Sequence, residues 1–219
     1  MPTNPPSNAP TGAEDEGRSA RKRRAILEAA TAVFLRNGYL GSSMDEIASL
    51  AAVSKQTVYK HFADKERLFC EIVISTVNDA SDPNYDEVLG LTDGADVEAA
   101  LRDLARGQLA RVMQPTLMQL RRLVIGEASR FPELGRTFYE RGAGRTLDAL
   151  AGAFERLAER GVLQLDDPQT AAAHFNWLVM SAPVNRAMLL GDDAIPSPAE
   201  LDQYADDGVR AFLAAYRRH

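Results

Sequence analysis

Three helix starts crowd into about twenty residues near the front of this chain, and that spacing leaves few folds open. Ser43 precedes Met44-Asp45-Glu46, Ser54 precedes Lys55 to His61, and Asp64 precedes Lys65-Glu66-Arg67-Leu68. A short oxygen-bearing side chain at such a position accepts from one of the first free backbone N–H groups of the helix. Glu46, three residues after Ser43, fits a capping box in which its carboxylate reaches back to the cap. The spacing predicts two short, tightly connected helices and a third start directly behind them. Upstream, Ile26, Ala29, Ala30, Val33 and Phe34 recur at the i, i+3, i+4, i+7, i+8 spacing of one helix face, and Gly38 stands where a C-terminal cap belongs.

The same periodicity continues downstream. Leu68, Phe69, Ile72, Val73 and Thr76 form the apolar face of a helix expected to stop near Asp79, before the Ser81-Asp82-Pro83-Asn84 breaker. Further helices are expected over 95–113, 115–130, 132–160 and 167–190, and a last one from Ser197. Pro115, Pro132 and Pro168 suit a first helical turn, and Gly161 and Gly191 suit an end. Ser197 and Glu200 form another capping box. Pro183 lies inside its helix and should kink it near Val179, because proline has no N–H for that carbonyl. No segment alternates with a period of two. The expected fold is all-α, with roughly nine helices.

A net charge of −6 counts against a phosphate-bearing partner until it is divided along the chain. Residues 1–16 carry three acids and no bases, residues 17–65 nine bases and four acids, and residues 66–219 sixteen bases and twenty-four acids. A basic front end joined to an acidic body suggests a nucleic-acid reader attached to something else. Residues 1–17 are rich in Pro, Asn, Ser and Glu and are expected to be a disordered tail. The single cysteine, Cys70, excludes an internal disulfide and reads as a small buried hydrophobe. His61, His174 and His219 have no metal-ligand spacing, so neither metal nor cofactor is expected. No apolar run is long enough for a membrane helix or a secretion signal, and the expected location is cytoplasmic. The chain holds no Gly-x-Ser-x-Gly elbow, phosphate loop or Cys-x-x-Cys, which argues against an enzyme.

Between Met44 and Phe62 the apolar residues are placed so that Val58 and Phe62 pack the second short helix onto Ile47 and Ala48. That arrangement leaves Lys55, Gln56, Thr57, Tyr59 and Lys60 outward, a face with hydrogen-bonding side chains, an aromatic ring and no acid, suited to a major groove. These residues, with Arg24-Ala25-Ile26-Leu27, Phe34, Gly38-Tyr39, Ser42 to Ala48, Ala51 to Lys55, Thr57 to Phe62 and Lys65-Glu66, resemble the N-terminal domain of TetR-family transcriptional regulators. The resemblance covers about fifty contiguous residues. Arg122 to Glu127 with Phe131-Pro132-Glu133-Leu134 is similar to the AcrR/AefR-like branch of the family's C-terminal domains.

The resemblance implies a tail over 1–17, a helix-turn-helix DNA-binding domain over 18–64, and a ligand-binding and dimerisation domain over 65–219 whose residues 65–80 form a linking helix. It implies a homodimer that reads a palindromic double-stranded DNA operator and leaves it when a small hydrophobic or amphipathic effector binds. Carried over by position, Ser54, Lys55, Gln56, Thr57, Tyr59 and Lys60 contact bases and phosphates, His61 orients toward phosphates, and Ser43 and Lys65 clamp the backbone. Arg18 and Arg21 to Arg24 could reach phosphates or an adjacent minor groove. The family usually has glycine where this chain has Ala52, so the turn is either strained at positive φ or shaped differently.

Met113, Leu117, Phe138, His174, Phe175, Trp177 and Met180 are the candidate effector residues, with His174 or Asn176 as a polar anchor. The candidate subunit interface comprises Phe175, Val179, Ala182 and Met188 on one helix and Leu201, Tyr204, Gly208, Phe212 and Tyr216 on the last. The other readings are a TetR-like activator, and a helical ligand-binding or interaction protein without DNA activity.

Overall fold

The computed structural model describes residues 12–92 and 96–218. Among the described residues the regular structure is helical, apart from one isolated antiparallel bridge between Leu163 and Arg217. Ten α-helices are present: α1 Gly12–Gly41, α2 Met44–Leu50, α3 Lys55–His61, α4 Lys65–Leu89, α5 Val97–Val112, α6 Pro115–Glu127, α7 Pro132–Tyr139, α8 Arg145–Glu159, α9 Pro168–Leu190 and α10 Pro198–Tyr216. The chain divides into two compact units, one ending at Ile72 and the other starting at Val73.

Three boundaries differ from expectation. Of the expected tail, residues 1–11 lie outside the described residues, as does His219, while α1 already begins at Gly12. Helix α4 continues past Pro83 to Leu89, overriding the breaker. The reason lies in burial: Val77, Ser81, Asn84 and Val88 continue one inward stripe, and Arg111 of α5 donates to Asn84 Oδ1 at 2.6 Å. A proline interrupts one helical bond, but the packed stripe on either side holds the helix together. Finally, the expected single helix over 132–160 is divided into α7 and α8 by a π-helical turn, Glu140–Gly144, which makes ten helices where nine were expected. A Cβ on Gly142 would stand 3.0 Å from the Val77 side chain, so the widened turn lies against α4 closely enough that an added methyl would press on Val77.

The first unit closes over Ile26, Val33, Phe34, Ile47, Val58, Leu68 and Phe69, all essentially inaccessible to solvent. Phe69 packs against Phe34 and Tyr39 at centroid distances of 5.1 and 5.2 Å. The second unit is centred on Phe154, Phe175 and Phe212, one each from α8, α9 and α10, with centroids 4.9 to 5.6 Å apart. Arg106 of α5 holds Asp206 of α10 through two parallel bonds of 2.8 and 2.5 Å. The approach of α10 to α9 is closest at Gly208, where an added Cβ would meet the Leu178 carbonyl oxygen at 2.8 Å. Helix α9 runs through Pro183, and the preceding amide, Ala182 N–H, donates to the Tyr204 hydroxyl at 3.3 Å.

Candidate nucleic-acid interface

The turn from α1 into α2 depends on a backbone that only glycine adopts easily: Gly38 lies at φ 71°, ψ 175°. Ser42 reaches back and donates to the Gly38 carbonyl at 2.6 Å. Lys65, at the start of α4, donates to the carbonyls of Tyr39 and Ser42 at 2.8 and 2.9 Å, with its ammonium 4.5 Å from the centre of the Tyr39 ring. Two of its three N–H groups therefore close the α1–α2 turn from within, which is a different task from the phosphate clamp that the resemblance implies.

Ser43 caps α2, accepting from Glu46 N at 3.2 Å. The other half of the capping box is replaced: the Glu46 carboxylate is held by the Asn37 amide at 2.9 and 3.1 Å and by Arg36 at 2.5 Å. A charge-assisted pair with a guanidinium is stronger than a single bond to a backbone N–H, so α1 captures the side chain. Helix α2 ends in a Schellman pattern, with Val53 N–H on the Ala48 carbonyl at 3.1 Å and Ala52 N–H on the Ser49 carbonyl at 3.2 Å. That pattern forces Ala52 to φ 52°, making it the one non-glycine residue at positive φ among the described residues. Of the two turn geometries left open by the sequence, the strained one is present.

Ser54 caps α3, accepting from Thr57 N at 3.1 Å, and its hydroxyl is paired with that of Thr57 at 2.8 Å. Val58 faces inward with no solvent exposure, which fixes the rotation of α3. Lys55, Gln56, Tyr59 and Lys60 are exposed as expected, with Thr57 and His61 partly so. Lys55 pairs with Asp45 of α2 at 2.7 Å, and that carboxylate raises the ammonium's pKa. His61 is pushed the other way. Burial lowers its pKa below the ordinary 6.5, with added repulsion from Arg23, Lys60 and Lys22, so its imidazole is neutral at pH 7. Arg23 is engaged by Glu71 and lies over the Phe62 ring, and Arg24 pairs with Glu28. Free N–H groups at the α3 start, a ring at Tyr59 and the Lys60 ammonium, unpaired among the described residues, form a surface suited to phosphates and base edges.

In the second unit the candidate effector residues do not gather in one place. Met113, Leu117, Phe175 and Met180 face inward. Phe138 lies under the Arg121 guanidinium, with Cζ 5.8 Å from the ring centroid. Asn176 accepts from the buried Gln108 at 3.4 Å, leaving Gln108 Oε1 without a partner. His174 and the exposed Trp177 instead line an open groove of about 940 Å³ with Leu178, Ser181, Tyr204 and Tyr216. At its rim His174 Nδ1 and the Tyr216 hydroxyl are 2.6 Å apart.

The candidate interface residues divide similarly. Phe175, Val179, Leu201, Gly208 and Phe212 are buried within the protomer's own core, whereas Ala182 is exposed and Met188, Tyr204 and Tyr216 are partly so. The outward face of α9 is instead His174, Trp177, Leu178, Ser181, Asn185 and Leu189, with Leu189 82% exposed. The available signal was the absence of Asp, Glu, Lys and Arg from Pro168 to Val184: a helix without a charged face has two faces to cover.

Comparison with known proteins accounts for both units. A model of bacterial regulatory proteins of the tetR family matches residues 26–72, and a model of the AefR-like transcriptional repressor C-terminal domain matches residues 99–218. The crystal structure of a TetR-family transcriptional regulator from Mesorhizobium loti is 46% identical, covers 91% of this chain and 98% of its own, and superposes with a TM-score of 0.83. The flavonoid-responsive regulator FrrA is 32% identical over 90% of this chain and 98% of its own, with a TM-score of 0.67. The HTH-type transcriptional repressor NicS of Pseudomonas putida is 34% identical over 87 residues, 38% of each chain. Curated relatives of this kind are spanned over 23 to 65% of their length. No described helix is long and apolar enough to cross a membrane. With one model covering the helix-turn-helix unit and the other most of the remainder, the chain belongs to the TetR family of transcriptional regulators and carries an AefR-like C-terminal domain.

Proposed function

We propose that this regulator is a ligand-responsive repressor, which binds a palindromic operator as a homodimer and leaves it when a small hydrophobic or amphipathic effector enters the second unit. The observation that carries this reading is the outer face of α3: Lys55, Gln56, Thr57, Tyr59 and Lys60 are presented together by a helix that has no acid of its own and whose rotation is fixed by the buried Val58. Repression is supported by the similarity to an AefR-like repressor domain and to NicS. The effector class is supported by FrrA, a flavonoid-responsive protein similar along nearly its whole length. Effector contacts are assigned to Met113, Leu117, Phe138 and Met180, and the outer groove with His174, Trp177 and Tyr216 to the partner subunit.

A mobility-shift titration with the DNA flanking the protein's own gene tests the reading. Specific binding is expected, weakening steeply with salt. Lys60→Ala should reduce the salt slope by about one phosphate contact, and Tyr59→Ala should weaken binding about tenfold. Deleting the gene should raise transcription from that DNA. A purified dimer that binds none of it at low salt overturns the proposal, and transcription that falls on deletion replaces repressor by activator.

A further inference from the structure

Helix α6 carries a partly buried cation for which no described residue supplies an anion. Its inward arc is formed by Leu117, Met118, Leu120 and Val124, none more than 6% exposed. Arg121, four residues after Leu117, three after Met118 and three before Val124, stands at the middle of that arc, where an amphipathic helix puts its most apolar residue. It is mostly buried, and its Nε is closed to solvent with no hydrogen-bond partner. The neighbouring side chains show what a satisfied position looks like here: Arg122 holds Asp192 and the Ala187 carbonyl, and Gln119 holds the same Asp192. Around Arg121, among the described residues, the contact is the Phe138 ring of α7 at 5.8 Å, near the limit of a cation–π interaction. Burial lowers the guanidinium's pKa and no carboxylate raises it, yet arginine stays protonated at any physiological pH. A guanidinium partly withdrawn from water, with neither counter-ion nor full hydrogen bonding among the described residues, is costly to keep and has most to gain from an anion.

We propose that Arg121 is the anion anchor of the effector site, and that the effector is an amphipathic acid whose carboxylate or ionised phenol meets the guanidinium while its apolar body lies along Phe138. The proposal rests on the reading of the second unit as effector-binding. It narrows that reading from any hydrophobic molecule to one that carries a negative charge. Planar guanidinium and planar carboxylate meet through two parallel bonds, which fix orientation as well as affinity.

The experiment compares full-length wild-type protein, Arg121→Met and Arg121→Lys in calorimetric titrations with cinnamate and dodecanoate, each beside its own amide. At least one acid should bind the wild type about tenfold to a hundredfold more tightly than its amide. Arg121→Met should abolish that preference, and Arg121→Lys should keep part of it. Without ligand, Arg121→Met should melt no lower than the wild type, because methionine fills the position without a charge. No preference for either acid over its amide, a preference that survives in Arg121→Met, or an Arg121→Met protein that melts several degrees lower would overturn the assignment. Mobility shifts on the same samples separate the two claims: operator binding without acid preference removes Arg121 as the anchor, and loss of operator binding in the wild type removes the repressor reading itself.

Discussion

Ala52 has the least comfortable backbone in the reading unit. Its Cβ at φ 52° costs about 1 kcal/mol relative to glycine, and the residue is exposed, so nothing is gained from the methyl group in return. Ala52→Gly should raise the urea midpoint by an amount worth about 1 kcal/mol and leave operator affinity unchanged, since the Schellman bonds already set the turn. A loss of stability would mean that the turn tolerates alanine without strain. His61 sets a pH dependence of opposite character. Its folded-state pKa lies below the unfolded one, so the unfolded chain takes up the proton first as pH falls through 6.5, and stability falls with it. His61→Gln should flatten that slope between pH 7.5 and the lowered folded pKa, as measured by unfolding midpoints. An unchanged slope would place the titrating group elsewhere.

Among the elements, the contact of α9 with α10 is the least forgiving. A Cβ on Gly208 meets backbone atoms of Leu178 and Val179 at 2.8 to 3.1 Å, and backbone cannot swing aside. Gly208→Ala should therefore cost about 1–3 kcal/mol in thermal unfolding. Gly152→Ala on α8, whose nearest neighbour is the end of the Arg156 side chain at 3.6 Å, should gain up to about 1 kcal/mol from helix propensity. Equal effects at the two positions would refute the close approach. This contrast also marks what the sequence could and could not disclose. The caps of Ser43, Ser54 and Asp64 were legible because a cap is a local event, settled within three or four residues. Gly208 was legible as a small residue on α10 but not for its direction, because it faces the protomer's own α9. The course of α4 past Pro83, the capture of Glu46 by Arg36 and the turn at Gly142 all depend on partners from another helix. Arg121 looks like any surface arginine until the burial of its neighbours is known.

For the whole molecule, the charge division and the two units tell the same story: the basic stretch of residues 17–65 lies within the first unit, and the second carries twenty-two acids against fifteen bases. The exposed Trp177, Leu178 and Leu189 give α9 an apolar outer face suited to a second copy of the chain. Trp177→Glu should turn a dimer into a monomer in analytical ultracentrifugation and weaken operator binding with it. A dimer that survives the substitution would locate the interface elsewhere. Because each unit closes its own core, damage to one need not unfold the other. In the proposed dimer, a copy with a ruined α3 and an intact α9 would still pair with healthy copies and disable them, so reading defects should be genetically dominant. A copy unable to pair would be ignored by the rest, and pairing defects should be recessive.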